Sequence, residues 1–381
     1  MYLNILGASG SIGRQALDVC RQLNINEPGS CHIAAISAGS DWRFLARAAR
    51  EFRPAFAALA DESHGRELAE ALADLPIKVG VGGEAVQKAA AWPEGDITLA
   101  AVSGLACLAP LVAAIKAGKT IALANKEALV ASGALVTKLA TEYGAELRPV
   151  DSEHSALWQC LRGEEKAAAR KLILTASGGP FRESPASLEE VTREQALAHP
   201  SWHMGPKITV DSATMVNKGL EVIEAHWLFD MPYEQIEVVV HPQSIIHSLV
   251  EFADGSQKAL LSVPDMRLPI QYALTGQRRE ASPLSPLDLA AVGQMTFFPP
   301  NEERFPALRL FREAGKAGGL LPAYLNGANE ALVGRFLAGE IPFTAIGEKL
   351  AELSAKGCPG EADSLEAVYA ADKLGRKDAS A

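Results

Sequence analysis

Short apolar runs alternate with amphipathic runs along the first 150 residues of the chain. The apolar runs are rich in alanine and β-branched residues, which favours buried strands, and the runs between them repeat apolar residues at helical spacing. Strand–helix alternation of this kind is typical of a parallel sheet with helices on both faces. The predicted strands are YLNILG, HIAAISA, AFAALA, ITLAAV, TIALAN and ELRPV.

The pattern changes from about residue 151, where longer apolar runs alternate less strictly with helical ones. These runs predict strands of a second, partly antiparallel sheet in an α+β region. A long polar stretch at about 181–206 separates two of the strands, and loops of that length are usually lids or binding loops. The predicted strands are ARKLILTAS, KITVDSAT, IEVVVHPQSIIHSLVEF and SQKALLSVPD.

Proline and glycine divide the remainder of the chain. Residues 281–303 are proline-rich and irregular, which predicts a linker, and the runs after it predict helices with proline and glycine as start and stop signals. We therefore expect an α/β protein in three parts. They are a Rossmann-like parallel-sheet domain over 1–148, an α+β catalytic domain with a lid over 149–280, and a C-terminal helical bundle over 304–381.

Charge and cysteine content limit the classes of partner. The 381-residue chain carries a net charge of −10, from 36 basic and 46 acidic side chains, which argues against binding to nucleic acid or anionic membranes. One uncharged stretch, 97–115, approaches the length of a membrane span, but Ser103-Gly104 and Pro110 divide it into a strand and a helix start. The five scattered cysteines form no CxxC pair and Met1 leads directly into a strand, so we expect a cytoplasmic protein.

The glycine-rich stretch GASGSIG lies between a predicted strand and a predicted helix. Gly7, Gly10 and Gly13 follow the spacing G-x-x-G-x-x-G, a variant of the dinucleotide-binding fingerprint, and the context matches that fingerprint. The amides of Ser9, Gly10, Ser11 and Ile12 would face a pyrophosphate at a helix N-terminus. The alternative is a tight strand–helix turn that binds nothing.

In a dinucleotide-binding fold, a side chain at the end of the second strand binds the adenosine ribose. An acid there prefers a free 2′-hydroxyl, and a cation prefers a 2′-phosphate. Ser40 and Asp41 follow Gly39 at this position, with Arg43 nearby. These residues are compatible with either NAD or NADP as the cofactor.

Polar side chains also follow two later strands. The carboxyl edge of the predicted parallel sheet, where ligands bind, carries Asn125, Lys126 and Glu127. The alternative is that Asn125 is a helix N-cap and that Lys126 and Glu127 are a solvated pair. Asp151 and Glu153 are two residues apart, a spacing that points both carboxylates the same way at a strand end and suits Mg²⁺ or Mn²⁺. A capping Asp with a capping Glu is the alternative.

The stretch VDSATMVNKGLEVIEAHWLF offers small donors and a cation suited to a phosphate monoester, namely Ser212, Asn217 and Lys218. Glu221 follows them closely and could complete a metal site with three carboxylates. Glu224, one turn later, is expected to be a solvated helix residue. In TASGGPF, Ser177 and two glycines offer another anion site, and the predicted lid carries His199 and Trp202.

Several segments together resemble the 1-deoxy-D-xylulose 5-phosphate reductoisomerase family, over nearly the whole chain. They are LGASGSIG, ALANKEALV, VDSEHSA, TASGGPFR, HPSWHMGPKITVDSATMVNKGLEVIEAHWLF, VVVHPQSIIHSLVEF, VPDMRLPI and NGANEALVGRFLAGEIPF. The resemblance implies metal-dependent rearrangement of 1-deoxy-D-xylulose 5-phosphate and NADPH-dependent reduction to 2-C-methyl-D-erythritol 4-phosphate, in isoprenoid precursor synthesis. It also implies a homodimer.

The same resemblance implies a role for each matching residue. Glu153, Lys126 and His199 would be catalytic, and a divalent cation (Mg²⁺, Mn²⁺ or Co²⁺) would be held by Asp151, Glu153 and Glu221. Substrate would contact Lys126, Ser152, Glu153, Ser177, His199, Ser212, Asn217, Lys218, Glu221 and Trp202. NADPH would lie along Ser9, Gly10, Ser11, Ile12, Gly39, Ser40, Asp41, Asn125, Glu127 and Gly205.

The chain departs from the family pattern at two places. Ala8 stands where members tend to have Ser or Thr, and Ser40-Asp41 stand where they tend to have a basic residue and Asn. We therefore expect NADPH use with weaker discrimination against NADH than in the family, with Arg43 as the candidate partner of the 2′-phosphate.

Two other functions compete with this interpretation. Another Rossmann oxidoreductase acting on an anionic substrate, such as a semialdehyde dehydrogenase, would need a thiol nucleophile, and no cysteine stands at a turn with an obvious base. A non-catalytic nucleotide sensor would be expected to lack a metal carboxylate or a phosphate donor. The chain retains all three carboxylates and all four donors, which favours the enzyme.

Overall fold

The computed structural model describes residues 1–183, 187–202, 204–276 and 278–381. Residues 184–186 and 203 of the predicted lid lie outside the described residues. The chain forms two compact units. The first unit consists of Met1–Ala128, Val136–Ser155 and Asp265–Leu284, and the second of Leu129–Leu135, Ala156–Pro264 and Ser285–Ala381.

Helices alternate with strands in the first unit and dominate the end of the chain. The helices are α1 (Ser11–Asn26), α2 (Trp42–Phe52), α3 (Gly65–Ala71), α4 (Gly82–Ala90), α5 (Leu108–Lys116), α6 (Lys126–Tyr143), α7 (Ser152–Leu161), α8 (Arg193–Leu197), α9 (Pro206–Thr214), α10 (Val216–Phe229), α11 (Arg267–Leu274), α12 (Leu289–Val292), α13 (Ala307–Ala317), α14 (Leu321–Leu337), α15 (Thr344–Lys356) and α16 (Leu365–Ser380). None of the described helices is both long and apolar enough to cross a membrane.

The first unit is built on a parallel sheet of seven strands in the order β4-β3-β2-β1-β5-β6-β7. In register, Ile5 on the central strand lies beside Ile36 on one neighbour and Leu99 on the other. The strands are β1 (Tyr2–Leu6), β2 (His32–Ala38), β3 (Phe56–Leu59), β4 (Lys78–Val81), β5 (Ile97–Ala100), β6 (Thr120–Leu123) and β7 (Leu147–Pro149). The predicted Rossmann-like sheet is confirmed.

The core of the first unit explains why its strands read as apolar runs. Leu3, Ile5 and Leu99 are fully buried between helices, since a parallel sheet is covered on both faces. Strand β4 was not among the predicted strands, and it is an edge strand whose residues are partly or fully exposed. A strand of four residues with only two apolar side chains, Val79 and Val81, carries little of the apolar signal on which sequence patterns depend.

The second unit contains a mixed sheet in the order β11-β10-β8-β9. Strands β8 and β9 are parallel, and β10 is antiparallel to both β8 and β11, as the partly antiparallel prediction requires. The strands are β8 (Ala169–Ala176), β9 (Ile236–Val240), β10 (Ile246–Phe252) and β11 (Gln257–Leu261). Helices α13 to α16 pack within the same compact unit.

One predicted strand, IEVVVHPQSIIHSLVEF, is divided into β9 and β10, and another is wrong. KITVDSAT forms helix α9, whose N-cap is Gly205 and whose first residue is Pro206. The β-branched Ile208, Thr209 and Val210 favoured a strand. Proline at the first helical position is pre-organised for a helix, and burial of Thr209 and Val210 outweighs the weak local preference.

The compact units also divide the chain differently from the predicted domains. Asp265–Leu284, which we expected in the catalytic domain, packs within the first unit. The reason lies in α11, whose Ile270, Ala273 and Leu274 belong to the same buried cluster as Leu3 of β1. Residues 281–303, the predicted linker, contain only the four-residue helix α12 and an isolated bridge between Val240 and Phe298.

Candidate active site

The glycine-rich turn between β1 and α1 requires glycine for steric reasons. Gly7 has a φ of +71°, and a Cβ there would lie 2.4 Å from the Ala101 carbonyl oxygen. A Cβ on Gly13 would lie 2.3 Å from the Gly7 carbonyl oxygen, so α1 packs directly on the turn. Gly10 is the N-cap and supplies no side-chain acceptor to the first-turn amides, which have no partners within a helix. The turn therefore fits a pyrophosphate.

Asn125 serves as the N-cap of α6. Its Oδ1 accepts from the Ala128 amide at 2.8 Å, and its Nδ2 donates to the Val102 and Gly104 carbonyls at 2.9 and 3.0 Å. Nδ2 also donates to Glu127 Oε2 at 3.0 Å. These bonds tie the loop after β5 to the start of α6. The capping alternative describes this side chain, and its predicted cofactor contact stays a prediction.

Lys126 and Asp151 form a nearly buried ion pair in the first unit. Lys126 Nζ lies 2.5 Å from Asp151 Oδ2, and the two side chains are 8% and 15% exposed. Ser152 Oγ donates to Glu153 Oε2 at 2.6 Å. Glu153 thus lies in the first turn of α7 and not on a strand as the sequence spacing predicted, and one positive charge, that of Lys126, already faces Asp151.

His154 is a residue that the sequence analysis did not single out. It is fully buried, and its Nδ1 lies 3.9 Å from Asp151 Oδ2. The i,i+3 spacing of Asp151 and His154 places both on one side of a helix start, and this was the signal available in the sequence.

Ser177 and His199 form a hydrogen-bonded pair in the second unit, with Ser177 Oγ 2.9 Å from His199 Nε2. The backbone amides of Ser201 and Trp202 donate to His199 Nδ1 at 3.2 and 2.9 Å. Because Nδ1 is an acceptor, the proton of the neutral ring is on Nε2, which donates to Ser177 Oγ. Burial lowers the pKa of His199, in keeping with this neutral form.

The Ser177 hydroxyl is thereby oriented for an anion. Its oxygen accepts from His199 and from the Gly179 amide, at 3.2 Å, so its hydrogen remains available to donate elsewhere. The same loop approaches the second predicted donor, since a Cβ on Gly179 would lie 2.9 Å from the Ser212 carbonyl oxygen. Ser177 and Ser212 thus belong to adjoining backbone segments of the second unit.

We call Asn217, Lys218 and Glu221 on α10 the α10 cluster. Asn217 Nδ2 donates to Glu221 Oε1 at 2.6 Å, and Lys218 Nζ forms a short ion pair with Glu221 Oε2. Lys218 also donates to the Thr175 carbonyl at 2.6 Å, next to the strand end that carries Ser177. Lys218 and Glu221 are 3% and 1% exposed, so their charges are held almost out of water.

The expectation that Glu224 is solvated is wrong, because its side chain is 1% exposed. Helix α10 is buried on more than one face: Leu220, Val222 and Ile223 are fully buried, and a Cβ on Gly219 would lie 2.7 Å from Phe311 Cβ. Because α10 is packed on more than one face, Glu224 is buried together with its apolar neighbours.

The predicted lid contributes Trp202, which lies near strand β10 of the second sheet. Its ring lies 6.2 Å from that of His247, at an interplanar angle of 61°. His247 and His241 are buried and hydrogen-bonded, His247 to Ser262 and His241 to the Thr296 carbonyl and the Ile245 amide. These hydrogen bonds fix the orientation of both rings within the second unit. Gly205, a predicted cofactor residue, is the N-cap of α9.

The buried thiols are poor nucleophiles. Burial raises the pKa of Cys107 to about 12 and that of Cys160 to about 11, although Lys258 partly opposes the second shift. A catalytic cysteine needs a thiolate near neutral pH. These two residues therefore give no support to the competing thiol-dependent dehydrogenase.

Fold and side chains together define the class of protein. A Rossmann-like sheet, a glycine-rich turn that fits a pyrophosphate, carboxylates beside a lysine and a buried lysine–glutamate pair are together typical of a nucleotide-dependent enzyme with a charged substrate. Sequence models of one family match most of the chain. The model described as 1-deoxy-D-xylulose 5-phosphate reductoisomerase matches residues 3–133, and two C-terminal domain models of that family match 147–229 and 261–378.

Individual relatives carry the same name. A 1-deoxy-D-xylulose 5-phosphate reductoisomerase of Symbiobacterium thermophilum is 50% identical over 98% of this chain and 96% of that protein. One from a Geobacillus species is 52% identical over 91% of this chain and 90% of that protein. The chain belongs to the 1-deoxy-D-xylulose 5-phosphate reductoisomerase family.

Solved structures of the family superpose closely on the chain. The enzyme of Zymomonas mobilis in complex with NADPH is 43% identical, with a TM-score of 0.93 over 99% of this chain and 97% of that one. A reductoisomerase in complex with NADPH, fosmidomycin and magnesium is 38% identical, with a TM-score of 0.94 over 100% of this chain and 97% of that one.

Proposed function

We propose that the chain converts 1-deoxy-D-xylulose 5-phosphate to 2-C-methyl-D-erythritol 4-phosphate, by metal-dependent isomerisation and NADPH-dependent reduction, in isoprenoid precursor synthesis. Family membership supports the reaction. The observation that carries the proposal is the α10 cluster, in which a lysine and a glutamate are almost fully buried. Burial of charged groups is costly, and sites that bind and transform charged ligands retain it.

Asp151, Glu153 and Glu221 are the proposed ligands of a divalent cation, Mg²⁺, Mn²⁺ or Co²⁺. Carboxylate oxygens are the ligands that such hard cations prefer. The Lys126 ammonium group 2.5 Å from Asp151 supports the fit, because it shows positive charge accommodated at that carboxylate. When bound, the cation would polarise the substrate carbonyl and acidify a neighbouring hydroxyl.

NADPH is the proposed hydride donor. Its pyrophosphate would bind the amides of Ser9–Ile12, which supply a helix N-terminus with space enforced by Gly7 and Gly13. The remaining proposed contacts are Gly39, Ser40, Asp41, Asn125, Glu127 and Gly205.

The substrate phosphate would bind Ser177, Ser212, Asn217 and Lys218. In this arrangement His199 keeps its proton on Nε2 and holds the Ser177 oxygen, so the Ser177 hydroxyl hydrogen faces the phosphate. Lys218 would exchange part of its contact with Glu221 for the anion. Trp202 in the lid would exclude water from the bound substrate.

Lys126, Ser152 and Glu153 are proposed to contact the reacting hydroxyls. Lys126 is held beside Asp151, where its charge would stabilise negative charge that develops on substrate oxygen. Glu153 accepts from Ser152 Oγ, which fixes the carboxylate for proton transfer or metal binding.

We also propose that the protein is a cytoplasmic homodimer. Leu289, Phe297 and Phe298 are 55%, 44% and 45% exposed, and exposed large apolar side chains are candidates for an association surface. All five cysteines are free thiols, in keeping with a reducing compartment.

The reaction is tested by following NADPH absorbance with 1-deoxy-D-xylulose 5-phosphate after removal and re-addition of Mg²⁺, with the product identified by mass spectrometry. Turnover should require substrate and metal together. Metal-independent turnover, or no turnover in saturating metal, would reject the proposed reaction.

A further inference from the structure

We infer that Arg14 binds the 2′-phosphate of NADPH in this chain and sets its preference for NADPH over NADH. The inference rests on the proposed function only in taking NADPH as the cofactor. Dinucleotide-binding folds usually read the ribose at the end of the second strand, with an acid for NADH or a cation for NADPH. In this chain the residues after β2 include an acid, Asp41, and the selective cation comes from α1.

Arg14 is held in place by three contacts. Its Nε donates to the Ser9 carbonyl at 2.7 Å, within the turn that precedes α1. Its guanidinium carbon lies 3.9 Å from the centre of the Phe44 ring, and Nη2 lies 3.5 Å from Asp41 Oδ2. The guanidinium group therefore joins the pyrophosphate turn to the start of α2. Its side chain is 49% exposed, so it is also accessible to a ligand.

Asp41 lies next to the proposed position of the cofactor, but its carboxylate is engaged by groups of the protein and is not the acceptor for a ribose hydroxyl. Its Oδ1 accepts from the Phe44 amide at 3.0 Å, which makes it the N-cap of α2. Its other oxygen is the one that faces Arg14. A carboxylate that caps a helix and faces a guanidinium group is a weaker hydrogen-bond acceptor for a ribose hydroxyl and repels a phosphate less.

Space for a phosphate exists next to this pair. A Cβ built on Gly39 would meet no atom within 4 Å, so the end of β2 is open on that side. Ser40 is exposed there and offers a hydroxyl donor. The planar guanidinium group of arginine can donate to two phosphate oxygens at once. Arg14 can therefore exchange its contact with Asp41 for a contact with the 2′-phosphate.

Arg43, the candidate from the sequence, lies elsewhere. Its guanidinium carbon stacks 4.6 Å from the centre of the Trp42 ring, on the exposed side of α2. Both arginines are exposed and both lie over an aromatic ring, so Arg43 is a matched control for the loss of one positive charge from this surface.

The test measures dissociation constants of NADPH and NADH for the full chain by calorimetry, without substrate or metal. Arg14→Gln should weaken NADPH binding about tenfold, the range for a lost charge-assisted hydrogen bond, and change NADH binding less than about twofold. Arg43→Gln should change neither by more than about twofold. Asp41→Asn, which retains a good N-cap but removes the charge, should tighten NADPH severalfold and leave NADH unchanged.

Each remaining outcome decides against the inference. Equal weakening of both nucleotides by Arg14→Gln would show that Arg14 only supports the turn through Ser9. Weaker binding of NADPH alone in Arg43→Gln would show that Arg43 binds the 2′-phosphate. If Arg14→Gln does not fold, Arg14→Lys is measured in its place, together with the effect of salt on the ratio of the NADPH and NADH dissociation constants. A ratio that neither the substitution nor salt changes would overturn the assignment.

The result separates this inference from the proposed reaction. A chain that binds NADPH through Arg14 and does not transform 1-deoxy-D-xylulose 5-phosphate would reject the reaction and retain the role of Arg14. A wild-type chain that binds neither nucleotide would reject both.

Discussion

The glycine-rich turn of the first unit and the α10 cluster of the second unit are both predicted anion sites, but they are built from different atoms. The turn presents backbone amides, and its conformation requires residues without a Cβ at Gly7 and Gly13. The α10 cluster presents side chains, and it depends on the buried charges of Lys218 and Glu221. Sequence changes should therefore damage the two sites in different ways.

The largest expected effect is at Lys218. Lys218→Met removes the cation that faces the buried Glu221 carboxylate, which should lower the free energy of unfolding by about 3–5 kcal/mol and abolish substrate saturation. Denaturant unfolding and KM for 1-deoxy-D-xylulose 5-phosphate measure the two effects. The control is Lys316→Met, which breaks an exposed pair with Glu234 and should change stability by less than about 1 kcal/mol. Equal losses in both variants would mean that burial of the α10 cluster does not matter.

The next effect is steric and belongs to the turn. Gly13→Val forces side-chain atoms into the Gly7 carbonyl and should destabilise the first unit by about 2–3 kcal/mol while weakening NADPH binding. Gly83→Ala is the control, because a Cβ there meets no atom within 4 Å and alanine favours the helix. A Gly13→Val protein with wild-type stability and NADPH affinity would disprove the close packing of α1 on the turn.

A smaller effect concerns pH at the lid. The folded pKa of His199 lies below its unfolded value, so between about pH 6.5 and the folded pKa the unfolded chain binds more protons and stability falls as pH falls. Protonation of Nδ1 also ends its acceptance of the Trp202 amide. Trp202 fluorescence should change through this window in wild type and not in His199→Gln. The same change in both proteins would assign it to another group.

Much of the fold follows from the sequence, since strand–helix alternation is a local pattern and the parallel sheet obeys it. The sequence pattern gave wrong predictions where tertiary burial decided the structure. In α9, a predicted strand is a helix that begins at Pro206 and buries Val210. Glu224, predicted to be solvated, is buried with the rest of α10. The residue types of the candidate site were predictable, and their roles stay predictions. The neutral His199 that orients Ser177 was not, because the two are 22 residues apart and the assignment depends on backbone amides.

The central proposal is that Glu221, which lies at the centre of the α10 cluster, is also a ligand of the metal on which turnover depends. The direct measurement is Mn²⁺ binding, followed by electron paramagnetic resonance, together with turnover, in wild type and Glu221→Gln. The account predicts at least about tenfold weaker Mn²⁺ binding and about hundredfold slower turnover in the variant, with unchanged affinity for NADPH. Wild-type Mn²⁺ affinity in Glu221→Gln would contradict it.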